Sequence, residues 1–398
     1  MDFPKRTADY ELVCDMEEIN LNKRFLPYSI GTPRKTLTSN NHYDRANFLF
    51  FTDCHVDLFN ADESLDNVRR IIEYSNGCPV EFDALINAGD AITPSNMVPK
   101  CDAKSRFKKF FDLVKQSRSP VVYAIGNHDS NDSRNIFENA FNADDWSEMF
   151  YDYAEENFGI VRQIKKDGTK STWHYRDIED KKIRIIAVDA YDTDRTVTND
   201  EGLVKYCTKW GAFITEEQFN WIANVALNFD DKQDTDWGVI FTLHEYSKTV
   251  FTHECDWHQN AGEVLHNILV AFNTQSTYSY KNKDSENSFF DIDVSVDFTR
   301  YADSETKPHI ICCLLGHDHE DKFEIKDGIN LIWSLNSSSS SLYGDARIMR
   351  YPGTSTQNAF DIVNIDTKNR KIRLFRYGAG VTCYGIGGDR FLPDGLDY

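Results

Sequence analysis

The sequence predicts a layered α/β fold. Short, nearly continuous apolar runs recur from residue 47 onward, the pattern of strands in a sheet covered on both faces. Amphipathic helical patterns lie between the early runs, and strands alternating with helices pack as layers. Five of the runs also end in Asp, Asn or His, which places chemistry at strand ends.

The runs are NFLFFT (47–52), ALINA (84–88), PVVYAI (120–125), IRIIAVDA (183–190), WGVIFTL (237–243), HIICCLL (309–315) and INLIWSL (329–335). A helix is predicted over 64–75, where Leu65, Val68, Ile71 and Ile72 share a face, and over 105–115, where Phe107, Phe110, Phe111 and Val114 do. Residues 215–229 open with a Thr215-x-x-Gln218 capping box and carry a stripe of Phe219, Ile222, Ala226 and Phe229. Further helices are predicted at 145–157 and 260–272. The tail reads as a β-hairpin over about 358–378, turning at Asp366 to Arg370. Residues 1 to about 45 are polar and irregular, with one strand at most. The whole chain, 1–398, reads as one domain with its core at about 46–345. Stretches at about 130–182 and 245–305 exceed ordinary loops and read as insertions that wall a pocket.

Composition bounds the partners. Lys plus Arg is 44 against 64 for Asp plus Glu, a formal charge of −20, with 40% hydrophobic residues. A diffuse negative field disfavours long nucleic acid and anionic membranes, while bound cations can still reverse its sign locally. No apolar run approaches the roughly 18 residues that span a bilayer, and the N-terminal stretch lacks an apolar signal core. Nine cysteines form no C-x-x-C pair, and we expect reduced thiols in a cytoplasmic protein, with Cys312 and Cys313 in the core. Oligomeric state has no signature.

The polar residues gather after the strands. They are Asp53-Cys54-His55, Gly89-Asp90, Gly126-Asn127-His128-Asp129, His244, and Gly316-His317-Asp318-His319. In open α/β sheets the C-terminal edge of the strands is where ligands bind. In extended chain, residues i and i+2 point the same way, so Asp53 and His55 are expected to face one site, as are His317 and His319. Asn127 and His128 are neighbours and should diverge. Glycines at 89, 126 and 316 allow tight turns beside the cluster. Imidazoles, carboxylates and an amide oxygen without a thiolate suit Mn, Fe, Zn, Co or Ni better than Mg or Ca.

The ordered set "DCH", "GD", "GNHD", the His of "TLHEY" and "GHDH" resembles the motifs of calcineurin-like metallophosphoesterases, over roughly residues 47–335. The likeness extends to members found in bacteria and their phages. It implies a two-sheet αββα sandwich whose tail hairpin completes one sheet. It also implies two divalent or mixed-valence transition metals, with Mn or Fe favoured. One would take Asp53, His55 and His319, the other Asn127, His244 and His317, with Asp90 bridging. A water activated by the pair would attack a phosphate ester, and His128 would protonate the leaving group. Asp129 or Asp57 would orient His128. A small-molecule substrate is expected, a phosphodiester rather than a monoester because no arginine clamp stands out. The competing reading is an inactive binding or structural module on the same scaffold, which normally lacks ligands that are all present here.

Weaker features are His253, Cys255, Asp256 and His258 in "HECDWH", read as loop or pocket rim before metal site. The stretch NSSSSS at 336–341 follows a strand and is read as a solvated loop before a substrate contact. Tyr and Phe residues over 278–301 are expected to pack the second insertion, and the glycine-rich 378–388 carries no phosphate-loop context.

Overall fold

The computed structural model describes residues 44–57, 61–93, 97–246, 256–304, 306–339, 350–380 and 396–398. The expected irregular N-terminal segment therefore lies almost wholly outside the described residues. Two mixed sheets face each other. In the first, β1 (Arg45–Phe51), β2 (Ala84–Asn87) and β3 (Val121–Tyr123) run parallel. The other sheet, of seven strands, contains β4 (Val161–Ile164), β5 (Lys170–Ile178), β6 (Ile183–Ala187), β8 (Gly238–Leu243) and β12 (His309–Leu315). Its far edge is β13 (Lys322–Lys326) and β14 (Ile329–Trp333). The tail forms the expected hairpin, β15 (Ala359–Asp366) with β16 (Lys371–Gly378). β15 lies antiparallel beside β1, with Phe48 opposite Val363. β17 (Leu396–Asp397) closes that edge.

Alternation along each strand explains the layers. Phe48 and Phe50 of β1 enter the core between the sheets, with Ile86, Val122, Ile185, Ile240, Leu314 and Val363. Leu49 and Phe51 point the other way, onto the helices Ala61–Gly77 and Lys100–Val114. In the second sheet Val239, Phe241 and Leu243 meet the helix Ala261–Asn273, while Ile240 faces inward. Helices thus cover both outer faces, an αββα sandwich. Cys312 and Cys313 are buried on opposite sides of β12.

Some elements differ from expectation. Residues 130–182 supply β4 and β5, which extend the second sheet beyond β6, as well as helical turns from Ala143 to Phe158. The helix expected over 215–229 runs Glu216–Trp221 and widens into a π turn at Ile222–Ala226. Only half of its capping box forms. The Thr215 hydroxyl accepts from the Gln218 amide N–H, but the Gln218 side chain instead pairs with both backbone groups of Asp189. That side chain fastens the helix to the chain leaving β6. The short strands β7 (Gly211–Ala212) and β9 (Asp256–Trp257) pair in parallel, and within the second long stretch β10 (Thr277–Asn282) and β11 (Ile292–Asp297) form a separate hairpin. Phe290, Phe298 and Tyr301 pack into the outer core, as expected.

The sheets are also joined by charge. Arg376 of β16 donates from Nε to Asp361 Oδ1 at 2.8 Å, and from Nη1 and Nη2 to the two oxygens of Asp321 at 2.8 and 2.6 Å. Asp321 follows β12 and also accepts from the Leu335 amide at 3.0 Å. All three side chains are buried. Removing one partner of such a network strands charge in a dry interior, whereas apolar replacement of every partner does not. Urea denaturation of Arg376→Met should therefore show a loss of about 3–5 kcal/mol. The triple variant R376M/D321L/D361L should recover most of it; a loss under about 1 kcal/mol in the single variant would contradict the brace.

Candidate metal centre

Five loops at the C-terminal strand ends meet at one point. The Asp53 amide donates to Gly89 O at 2.9 Å, the His55 amide to Asp90 O at 3.1 Å, and the Gly316 amide to His244 O at 3.0 Å. The loops approach so closely that a Cβ on Gly126 would collide with the Asp90 carboxyl, and one on Gly316 with Asp53. Asp53, His55, Asp90, His317 and His319 all have left-handed backbone, with φ of 53, 43, 54, 70 and 54°. This corrects the reasoning from extended chain: these segments are chains of tight turns. Asp53 and His55 do share one site, but His317 and His319 approach different neighbours. The ring of His317 lies 5.2 Å from that of His244, and the ring of His319 lies 5.0 Å from that of His55.

Side-chain donors converge. Asp53, His55, Asp90 and His319 each offer an atom, all within 4.8 Å of one another, and all four are buried. His319 Nε2 is 3.0 Å from Asp53 Oδ1 and 3.1 Å from His55 Nε2. Beside them, His244 Nε2 is 3.2 Å from Asp90 Oδ2 and 3.1 Å from Asn127 Oδ1. Two rings are oriented from behind. His244 Nδ1 bonds Ala88 O at 2.7 Å, and His55 Nδ1 bonds the Thr93 hydroxyl, which aims each Nε2 inward. That outer hydrogen bond is how a protein holds an imidazole for a cation. Facing nitrogens, two carboxylates and an amide oxygen fit a pair of transition-metal ions. Thr93 was not singled out from the sequence, because an isolated polar residue after a motif carries no pattern, whereas Asn336, 3.4 Å from His319 Nδ1, opens the stretch read as loop or substrate contact.

His128 stands at the edge of this cluster, its ring edge-on to His55 at 5.4 Å. Its Nδ1 is buried without a hydrogen-bond partner. Neither expected carboxylate reaches it. Asp129 accepts from the amides of Asp90, Ala91 and Gly126 at 2.9, 3.0 and 2.8 Å, and from the Tyr123 hydroxyl at 2.6 Å. Those four bonds tie the Gly89-Asp90 loop to the Gly126-Asn127 loop. Asp57 binds the Thr93 amide and Arg106. The nearest carboxylate bond is instead from the His128 amide to Asp90 Oδ1, at 2.9 Å.

Electrostatics follow from two buried carboxylates. Burial alone would raise the Asp53 carboxyl, but His319 and His244 outweigh it and hold it at about 2. Asp90 is likewise held well below its usual range by His244 and His128 against burial. Burial would lower His244, yet Asp90 and Asp53 lift it to about 10. Burial dominates at His55, down to about 3, and lowers His317 and His128. His244 thus carries a positive charge between the carboxylates, while burial keeps lone pairs on His55, His317 and His128.

Elsewhere, His253 and Cys255 lie outside the described residues, while His258 stacks on Phe290 at 4.6 Å. Ser337, Ser338 and Ser339 are buried rather than solvated: the Ser337 amide donates to Thr52 O and the Ser339 amide to the Ser64 hydroxyl. Of the glycine-rich tail, only residues up to Gly380 are described.

A family model described as calcineurin-like phosphoesterase matches residues 46–321, more than half of the chain. Among solved structures, a dimetal phosphatase from Danio rerio superposes with a TM-score of 0.52 at 14% identity, covering 84% of this chain and 96% of that one. A phosphopantetheinyl hydrolase from Mycobacterium tuberculosis gives 0.36 at 12% identity, covering 74% and 89%. At such identity the likeness concerns the fold alone, and only the first is close enough to support it. No curated protein matches the chain by sequence.

The proton on His244 gives metal uptake a direction. It is retained up to about pH 10 in the metal-free protein, and a cation bound at His244 Nε2 must displace it. Affinity for Mn²⁺ should therefore tighten by about tenfold per pH unit between pH 7 and 9, one proton leaving per ion bound there. Calorimetric titrations at several pH values read this directly; a flat profile contradicts it.

Proposed function

The chain belongs to the calcineurin-like phosphoesterase family, hydrolases of phosphoric esters, and from that premise we propose a dinuclear-metal phosphodiesterase acting on small molecules. The observation that carries the proposal is the convergence of donor atoms from five strand ends, buried and oriented from behind. Asp53, His55 and His319 would hold one ion, Asn127, His244 and His317 the other, and Asp90 both. The distances support this division, since Asp90 Oδ2 lies 3.7 Å from His55 Nε2 and 3.2 Å from His244 Nε2. An imidazole-rich set favours Mn or Fe. Two bound cations would neutralise charge on a phosphoryl group and lower the pKa of a water.

The remaining steps belong to the chain. The closed loops exclude bulk water from the carboxylates. His128, beside the cluster but outside the proposed ligand set, is placed to give a proton to the leaving oxygen. Asp129 acts as a positioning residue, because it fixes the loop carrying Asn127 and His128 against that of Asp90. A diester is favoured because a second phosphoryl charge calls for a guanidinium clamp, and nearby arginines are engaged: Arg106 with Asp57, Arg195 with Asp132 and Ser130. An inactive scaffold would need neither the full donor set nor His128.

Mn²⁺-loaded protein should hydrolyse bis-p-nitrophenyl phosphate faster than p-nitrophenyl phosphate; activity on neither refutes the proposal. On a diester with an unactivated leaving group, His128→Asn should lower kcat by about 10²–10⁴-fold with metal content unchanged. Asp90→Asn should instead lose metal.

A further inference from the structure

The turn 205–210 lies against the loop that carries His128. The Thr208 hydroxyl donates to Asn127 O at 2.8 Å, and the Asn127 side chain reaches Lys209 O at 3.5 Å. The turn is locked from below. Thr208 is fully buried, its amide and hydroxyl both bond Asp132, and Arg195 holds Asp132 at 3.0 Å. The Trp210 amide closes the turn on Cys207 O. Two side chains are thereby presented at fixed positions. Lys209 has no carboxylate partner among the described residues, in a chain carrying an excess of acids. Trp210 is 59% exposed, and the Lys209 ammonium sits 5.0 Å from its ring centroid.

A rigid turn that exposes an indole beside an unpaired ammonium has no structural need of either group. The loop this turn abuts continues into His128, whose buried Nδ1 lacks a partner. With His128 as the proton donor, the leaving group departs on the side of the site where this turn stands. An ammonium there attracts a phosphoryl oxygen, and an indole face offers stacking to any flat ring. An aliphatic alcohol gains far less from it.

We propose that Lys209 and Trp210 form the leaving-group subsite and select phosphoesters whose departing group carries a planar aromatic ring. This rests on the dinuclear phosphoesterase reading, but its test does not depend on turnover. The probes are phenylphosphonate and methylphosphonate, whose P–C bonds resist hydrolysis, titrated calorimetrically into Mn²⁺-loaded full-length protein. The parent should prefer phenylphosphonate by about tenfold, within the range that stacking supplies. Trp210→Ala should reduce that ratio at least fivefold with metal content unchanged, and Trp210→Phe should keep it. Lys209→Met should weaken both phosphonates alike by several-fold. An unchanged ratio in Trp210→Ala, or parental affinity for both ligands in Lys209→Met, overturns the proposal. Failure of the parent to hydrolyse any phosphoester while these binding shifts appear would count against the catalytic reading alone.

Discussion

Two carboxylates, Asp53 and Asp90, are buried side by side where water cannot solvate them. Neither belongs in a dry interior without compensation, and the rest of the site is arranged around that cost. Thr52 and the amides of His317 and His128 donate to them, and His244 adds a positive charge between them. Delivering amides to a carboxylate from several strands demands loops that turn sharply. That demand explains why five residues at the centre accept left-handed backbone, a conformation costly for residues with a Cβ. A protein would not hold such a cluster in place for stability alone. The strain and the buried charge are repaid when cations enter.

The supports lie one layer further out, and they are polar as well. Asp129 spends its carboxylate on three amides and a tyrosine, which makes two loops behave as one body. Arg376 clamps Asp321 and Asp361, so the loop bearing His317 and His319 is anchored to the opposite sheet. The buried serines attach the segment after β14 to the helix Ala61–Gly77. Each support joins elements far apart in sequence, so the precision of the site depends on the sandwich being fully assembled.

This division accounts for what the sequence revealed. β1, β2, β3, β8 and β12 were legible because strands buried on both faces must be apolar throughout, and their ends were legible because few residue types bind metal. β4 and β5 were not, since the edge strand Val161–Ile164 and its neighbour Lys170–Ile178 are half-polar and lie inside a stretch that reads as an insertion. Loop conformation was also hidden. The i, i+2 argument for His317 and His319 assumed extended chain, and only coordinates expose the alternating turns. Asp129 was placed beside His128 by sequence proximity, whereas its oxygens satisfy amides from another loop. Gln218 matched a capping motif yet found a better partner in Asp189, a tertiary contact that local pattern cannot foresee.

The pairing of β1 with β15 has a consequence for how the protein is made. β1 is among the earliest described segments to leave the ribosome, yet the neighbour opposite Phe48 lies more than 300 residues later. At ordinary translation speeds the gap is on the order of 15–60 s. Throughout that interval a strand of Phe, Leu and Phe displays one side of bare amides and carbonyls, an invitation to adhesion between nascent chains. The acidic surface of the growing polypeptide, by keeping copies apart, protects an edge that its own sequence cannot yet cover.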